Sequence, residues 1–177
     1  MEPGHESPGG PTLWLAEHRH LLPVSGRALD VASGRGRNAL WLAQRGLDTL
    51  AVDRDAAAIA GLEDDARRLH LPLRGEVVDL ESADAALPPG AFDVIVVVHY
   101  LHRPLFPMLR GALCVNGVLV YETFTRAQAA RGKPTNPDFL LEPGELRELV
   151  QPLDILVERE GDFDGKMLAS VIARRRS

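Results

Sequence analysis

A single cysteine, Cys114, stands in the whole chain, which excludes an intramolecular disulfide and any zinc site built on several cysteines. Its place in the apolar stretch 109–115 reads as that of a small core residue. A cationic surplus is also missing. Twenty Lys and Arg oppose 25 Asp and Glu, for a formal net charge of −5. Such a surface repels a phosphate backbone on average, so nucleic acid is not an expected partner. The run Arg174-Arg175-Arg176 is read as a solvated end. No N-terminal stretch has the basic-then-apolar plan of a signal peptide, and no apolar run is long enough to cross a bilayer. A membrane is therefore not an expected partner, and a reducing, cytoplasmic setting is the expectation. What is present is a globular composition, 45% hydrophobic and 25% charged over 177 residues, enough for one packed core.

The first eleven residues are rich in Pro and Gly and lack an apolar period, so residues 1–12 are expected to form a flexible arm and 13–177 one domain. Leu13 to Leu22 reads as a short helix ending near Pro23. Strand-sized runs follow at 27–32, 49–53, 75–79, 92–98, 117–122, 153–159 and 167–173, with helical patterns at 37–46, 55–69, 104–113 and 143–151. In the second of these, Ile59, Leu62, Ala66 and Leu69 form one apolar stripe. Strand and helix in alternation predict an α/β fold with a mostly parallel, Rossmann-like sheet and right-handed crossovers. The unbroken run Val94 to Val98 suits a central strand covered on both faces. Only the turn-rich segment 160–166 separates the last two runs, so these are expected to form an antiparallel hairpin.

The informative segment is Asp30-Val31-Ala32-Ser33-Gly34-Arg35-Gly36-Arg37-Asn38, between the first strand and the first crossover helix. Gly34 and Gly36 permit a tight turn and close approach of a ligand. Asp53 ends the next strand, where a carboxylate can accept both ribose hydroxyls of a nucleoside. The spacing Gly34-x-Gly36-x-x-Ala39 also satisfies a loose dinucleotide pattern, so an NAD-dependent oxidoreductase is an alternative. Asp30 argues against it, because a pyrophosphate there would face a like charge. S-adenosylmethionine, with its ammonium and sulfonium, would instead be attracted. Asp79, at the end of the third run, could accept from an adenine amino group with Leu80 covering the ring. It could equally serve as a helix cap.

These residues resemble a family. The series Leu29-Asp30-x-x-x-Gly34-x-Gly36-Arg37-Asn38, Ala51-Val52-Asp53, Val77-Val78-Asp79-Leu80 and Phe92-Asp93-Val94-Ile95 is similar to class I S-adenosylmethionine-dependent methyltransferases. The Gly-Arg-Asn ending and Pro143-Gly144-Glu145-Leu146-Arg147 resemble the tellurite-resistance (TehB-like) branch. The resemblance implies a seven-stranded sheet in the order 3-2-1-4-5-7-6 with the last strand antiparallel. It implies S-adenosylmethionine as cofactor, S-adenosylhomocysteine as product, and cofactor contacts at Asp30, Ala32, Gly34, Gly36, Asn38, Asp53, Arg54, Asp79, Leu80 and Val98. Two features depart from the pattern. Ala32 stands where the first motif glycine usually does, and the last hairpin lacks a longer polar insertion, which weakens tellurite as a substrate. A non-catalytic, cofactor-binding member of the fold is the other alternative.

In an open α/β sheet the ligand lies beyond the strand ends where the winding reverses, so the stretch His99-Tyr100-Leu101-His102 leads into the site. Methyl transfer needs alignment, and a base only if the nucleophile carries a proton. His99 has the pKa for that base and Tyr100 could orient the acceptor, although His99 could also simply pack on adenosine and Tyr100 in the core. No cysteine or paired acid completes a ligand set around His99 and His102, so no metal is expected. The long stretch Thr123 to Asp138 is the other expected wall. Its Arg126, Arg131 and Lys133 suit an anionic, small-molecule methyl acceptor, or are solvated surface charges.

Overall fold

Seven strands form one sheet in the order β3-β2-β1-β4-β5-β7-β6. They are β1 (Arg27–Val31), β2 (Asp48–Asp53), β3 (Leu73–Val77), β4 (Phe92–Val98), β5 (Leu113–Phe124), β6 (Asp154–Phe163) and β7 (Lys166–Arg174). The computed structural model describes residues 9–176. Strands β1 to β5 pair in parallel, whereas β7 runs antiparallel to both β5 and β6. The expected order and the antiparallel hairpin are both present. The hairpin turn is tighter than the sequence pattern suggested, because β6 continues to Phe163. Only Asp164 and Gly165 lie between the strands, both with positive φ (56° and 78°), the geometry that favours Asp-Gly in two-residue turns.

Five helices accompany the sheet: α1 (Leu13–Glu17), α2 (Arg37–Gln44), α3 (Ala56–Arg68), α4 (Phe106–Ala112) and α5 (Glu145–Leu149). Helix α3 starts at Asp55, whose carboxylate accepts from the amides of Ala57 and Ala58 at 2.9 and 3.1 Å, and satisfies donors the helix leaves open. Ile59, Leu62 and Ala66 are buried as its stripe requires, but Leu69 lies past the last turn and is 48% exposed. The segment read as one helix over 13–22 is α1 followed by a 3-10 turn at Arg19–Leu21.

Val94, Ile95, Val96 and Val97 are all fully buried. Their alternate side chains feed two core layers, Ile95 and Val97 joining Phe106 and Tyr121, and Val94 and Val96 joining Trp14, Leu42 and Ile172. This double coverage is why the run carries no polar alternation.

Three expectations need correction. Cys114 is half-buried, not a core residue, because β5 begins at Leu113 and turns its thiol toward Asp93 Oδ1 at 3.1 Å. Strand β3 spans 73–77, so Asp79 lies two residues beyond its end. Thr12, placed at the end of the arm, is buried, and its amide donates to Asn38 Oδ1 at 3.0 Å. The rest of the arm up to residue 8 lies outside the described residues.

Candidate functional site

At the carboxyl edge of the sheet the winding reverses between the paired strands β1 and β4. Each strand ends there on a non-glycine residue with left-handed backbone, Ala32 (φ 53°) after β1 and His99 (φ 56°) after β4. Such conformations cost a residue with a Cβ roughly 1–3 kcal/mol and concentrate at functional sites. The amide of His99 donates to the carbonyl of Glu122 at 2.8 Å, which fixes the departure of the chain from the sheet.

A cavity of about 750 Å³ opens at this edge. Ala32, Asp53, Arg54, Asp79, Leu80, His99 and Tyr100 all line it, so seven of the twelve residues singled out from the sequence meet on one surface. The other five support that surface from behind. Gly34 donates its amide to Asp53 Oδ2 at 2.8 Å. Gly36 has φ 77° and opens α2 against Leu62. Asn38 is buried under Thr12, and Val98 packs toward the Trp14 layer.

Asp30 is also behind the surface. It is 2% exposed, and its Oδ2 accepts from the amide of Ala39, in the first turn of α2, at 3.0 Å. Burial pushes its pKa from 3.8 up to about 7, against the lowering effects of the Ala39 amide and of Arg37. The charge expected at the glycine turn is therefore carried by Asp53 and Asp79 more than by Asp30. A carboxyl whose folded pKa lies above its unfolded value stabilises the fold fully below about pH 4, and that contribution is lost as pH rises through 7. Urea midpoints are expected to fall between pH 5 and pH 8, and Asp30→Asn should flatten that slope. An unchanged slope in the variant would place the titration elsewhere.

Asp53 is half-buried at the cavity floor. Its two oxygens accept from the amides of Gly34 and of Asp55 (2.9 Å), which leaves further lone pairs toward the cavity. Asp79 is exposed and accepts from the amide of Glu81 at 3.0 Å, an Asx-type turn. Leu80 beside it is buried. A carboxylate for ribose, an acid beyond β3 and an apolar cover thus stand together, while an added Cβ at Gly34 would meet nothing within 4 Å. These acceptors, the apolar cover and the space fit an adenosine bearing a positively charged amino-acid arm.

The opposite wall comes from Thr123 and Phe124 at the end of β5 and from residues 133–136 and 139. The imidazole of His99 stacks on Phe124, centroids 4.6 Å apart and planes at 28°. Although the ring opens into the cavity, the walls around it withhold water and lower its pKa below 6.5, while Glu122 raises it and Lys166 and Arg37 lower it further. His99 is therefore neutral at pH 7. The hydroxyl of Tyr100 donates to Glu81 Oε1 at 3.1 Å. Burial and that carboxylate push its pKa well above the usual phenol value, so Tyr100 can donate a hydrogen bond but does not act as a base. Phe124 falls within the stretch 123–138 expected as a wall but was not singled out there, and Phe139 and Glu81 were not foreseen.

The outer wall is fastened by Arg103, from the loop after β4. Its Nε and Nη2 reach the two carboxylate oxygens of Glu145 at 2.5 and 2.9 Å, and Nη1 and Nη2 donate to the carbonyls of Asp138 and Leu140 at 3.1 and 3.0 Å. This is where the Pro-Gly-Glu-Leu-Arg stretch acts. Arg103→Ala is expected to cost about 1–2 kcal/mol, the partly exposed pair being discounted for solvent. It should also speed amide exchange at residues 138–142, and slow exchange retained there would mean that the wall is held by other contacts.

Among the described residues no cluster of three or more His, Cys, Asp or Glu side chains is placed to hold a metal ion, and no helix is long and apolar enough to cross a membrane.

Residues 28–114 match a family described as a methyltransferase domain. The fold is similar to that of an S-adenosylmethionine-dependent methyltransferase from Mesorhizobium loti, with TM-score 0.74 and 19% identity over 93% of this chain and 99% of that one. It is also similar to TehB from Haemophilus influenzae, with TM-score 0.78 and 19% identity over 97% and 64% of the two chains. At these identities the likeness is one of fold. A stretch of 57 residues is 44% identical to a protein named hemagglutinin 1 from Eikenella corrodens, which spans 32% of this chain and 19% of that protein.

Proposed function

We propose that this chain is an S-adenosylmethionine-dependent methyltransferase that transfers a methyl group to a small, negatively charged acceptor, a reading supported by the methyltransferase-domain match over residues 28–114 and by the shared fold. The observation that carries the reading is the cavity itself, which is larger than a lone nucleoside needs and has two unlike halves. Asp53, Asp79, Leu80 and Ala32 would hold the cofactor on one side. His99, Phe124 and the 133–139 segment border free space on the other. When bound, the cofactor supplies an electrophilic methyl on a sulfonium. The chain's own part is to orient the acceptor, exclude water and remove a proton if the nucleophile carries one.

Asp53 would serve the ribose of either cofactor, whereas the further carboxylates of Asp79 and Glu81 on the lining disfavour a pyrophosphate. Space beside His99 favours catalysis over a purely cofactor-binding role. A cytoplasmic setting belongs to the same reading.

The test is a calorimetric titration with S-adenosylhomocysteine and with NADH. Binding of the first and not the second is expected, and the reverse would overturn the proposal. With an acceptor that carries a proton, the rate should fall only below the ordinary histidine pKa, because His99 must be neutral to act and its pKa is lowered. A pH–rate profile with its acid limb at or above 6.5 would remove His99 as the base.

A further inference from the structure

The sequence put three cations on the wall after β5, and the structure separates them. Arg126 is paired with Glu142 at 2.6 Å, and Arg131 is paired with Asp162. Lys133 lines the cavity and has no carboxylate within salt-bridge distance among the described residues. Positive potential on this side is reinforced by Lys166, close enough to act on His99. The cavity's carboxylates, Asp53, Asp79 and Glu81, all come from the β2 and β3 side. The cofactor half thus carries three carboxylates and the guanidinium of Arg54, whereas Lys133 is the one charged side chain lining the acceptor half among the described residues. On the same half Phe124 under the imidazole, Pro134 and Phe139, which is 51% exposed, supply apolar surface beside the polar Thr123, Thr135 and Asn136. Aromatic surface with a few placed polar groups suits a ring-shaped ligand of matching charge.

We infer that the acceptor is an aryl carboxylate bearing an O–H or S–H nucleophile, with Lys133 binding the carboxylate and His99 taking the nucleophile's proton. The inference rests on the methyltransferase reading. Neutral His99 accepts the proton from the O–H or S–H group. The freed electron pair forms the bond to the methyl carbon as the bond from that carbon to the sulfonium breaks, its electrons staying on sulfur. The products are the methyl ether or thioether and S-adenosylhomocysteine, and the proton leaves His99 for solvent.

The test uses 4-hydroxybenzoate and 4-mercaptobenzoate against their methyl esters, which keep ring and nucleophile but mask the charge. Release of S-adenosylhomocysteine from S-adenosylmethionine is followed for each compound. For whichever nucleophile reacts, the free acid should show a KM about tenfold or more below its ester, as a charge-assisted contact provides. Lys133→Met should erase that difference, while calorimetry with S-adenosylhomocysteine reports that the cofactor half of the variant is intact. Equal KM values for acid and ester, a preference that survives Lys133→Met, or no turnover of either acid by protein that binds S-adenosylhomocysteine would each overturn the inference. Failure of the wild-type chain to bind S-adenosylhomocysteine would overturn the methyltransferase reading along with it.

Discussion

Gly36→Ala is expected to lower stability by about 2–6 kcal/mol, a large part of what a domain of this size possesses. Gly36 is the residue before the first turn of α2 and has φ 77°, a conformation that strains a residue with a Cβ by roughly 1–3 kcal/mol. The added Cβ would also fall 2.2 Å from Leu62 Cδ1 and 2.9 Å from its Cγ. Leu62 is 1% exposed and sits with Ala39 and Ile59 between α2 and α3, so it cannot swing away, and overpacking of a filled core adds about 1–3 kcal/mol. Gly34→Ala is the control. It has φ 53° with nothing within 4 Å of the added Cβ, so only the backbone cost applies. Urea denaturation of the two variants should separate them clearly. Equal midpoints would mean that Leu62 yields and that packing is not what fixes glycine at position 36.

That difference shows what could and could not be read from the chain. Two glycines separated by one residue mark a tight turn, and the sequence treats them alike. Only the tertiary fold assigns Gly36 to packing against α3 and Gly34 to holding Asp53, which lines the cavity. The central place of β4 was legible because Val94 to Val98 has no polar alternation, and the hairpin because too few residues separate β6 from β7 for a crossover; the full strand order came from the resemblance to class I methyltransferases. Strand ends were less legible. The pattern Val77-Val78-Asp79 reads as extended throughout, yet β3 stops at Val77, and Asp79 binds the amide two residues on instead of a neighbouring strand. The role of Asp30 was misjudged for an electrostatic reason. Proximity to the turn in sequence implied a charge facing the ligand, whereas burial under α2 holds its carboxyl near half-protonation at neutral pH. The acceptor wall was foreseen as a basic stretch. Which of its cations remains unpaired depends on Glu142 and Asp162, 16 and 31 residues away from Arg126 and Arg131, and local pattern carries no such information.

Asp53→Ala should weaken S-adenosylhomocysteine binding roughly 10–100-fold, the loss of about 1.5–3 kcal/mol of charge-assisted hydrogen bonding to ribose. The residue does two things at once. Its bonds from the amides of Gly34 and Asp55 hold the turn in shape before any ligand arrives, and its remaining lone pairs face the cavity. Removal therefore costs both a contact and the preorganisation of the loop that lines it. Asp53→Asn distinguishes the two parts. An amide oxygen can still accept from one of the two backbone donors, so the turn is largely retained, but the charge is gone and one ribose hydroxyl loses its acceptor. An affinity for the Asn variant between wild type and Ala is expected, with adenosine losing by a factor similar to that for S-adenosylhomocysteine because both present the same ribose. The charge matters more here than a first view of the turn suggests. With Asp30 buried and only partly charged near pH 7, Asp53, Asp79 and Glu81 are the acids on the cavity lining itself. Unchanged affinity in Asp53→Ala would take the ribose, and with it the orientation of any cofactor, away from the end of β2.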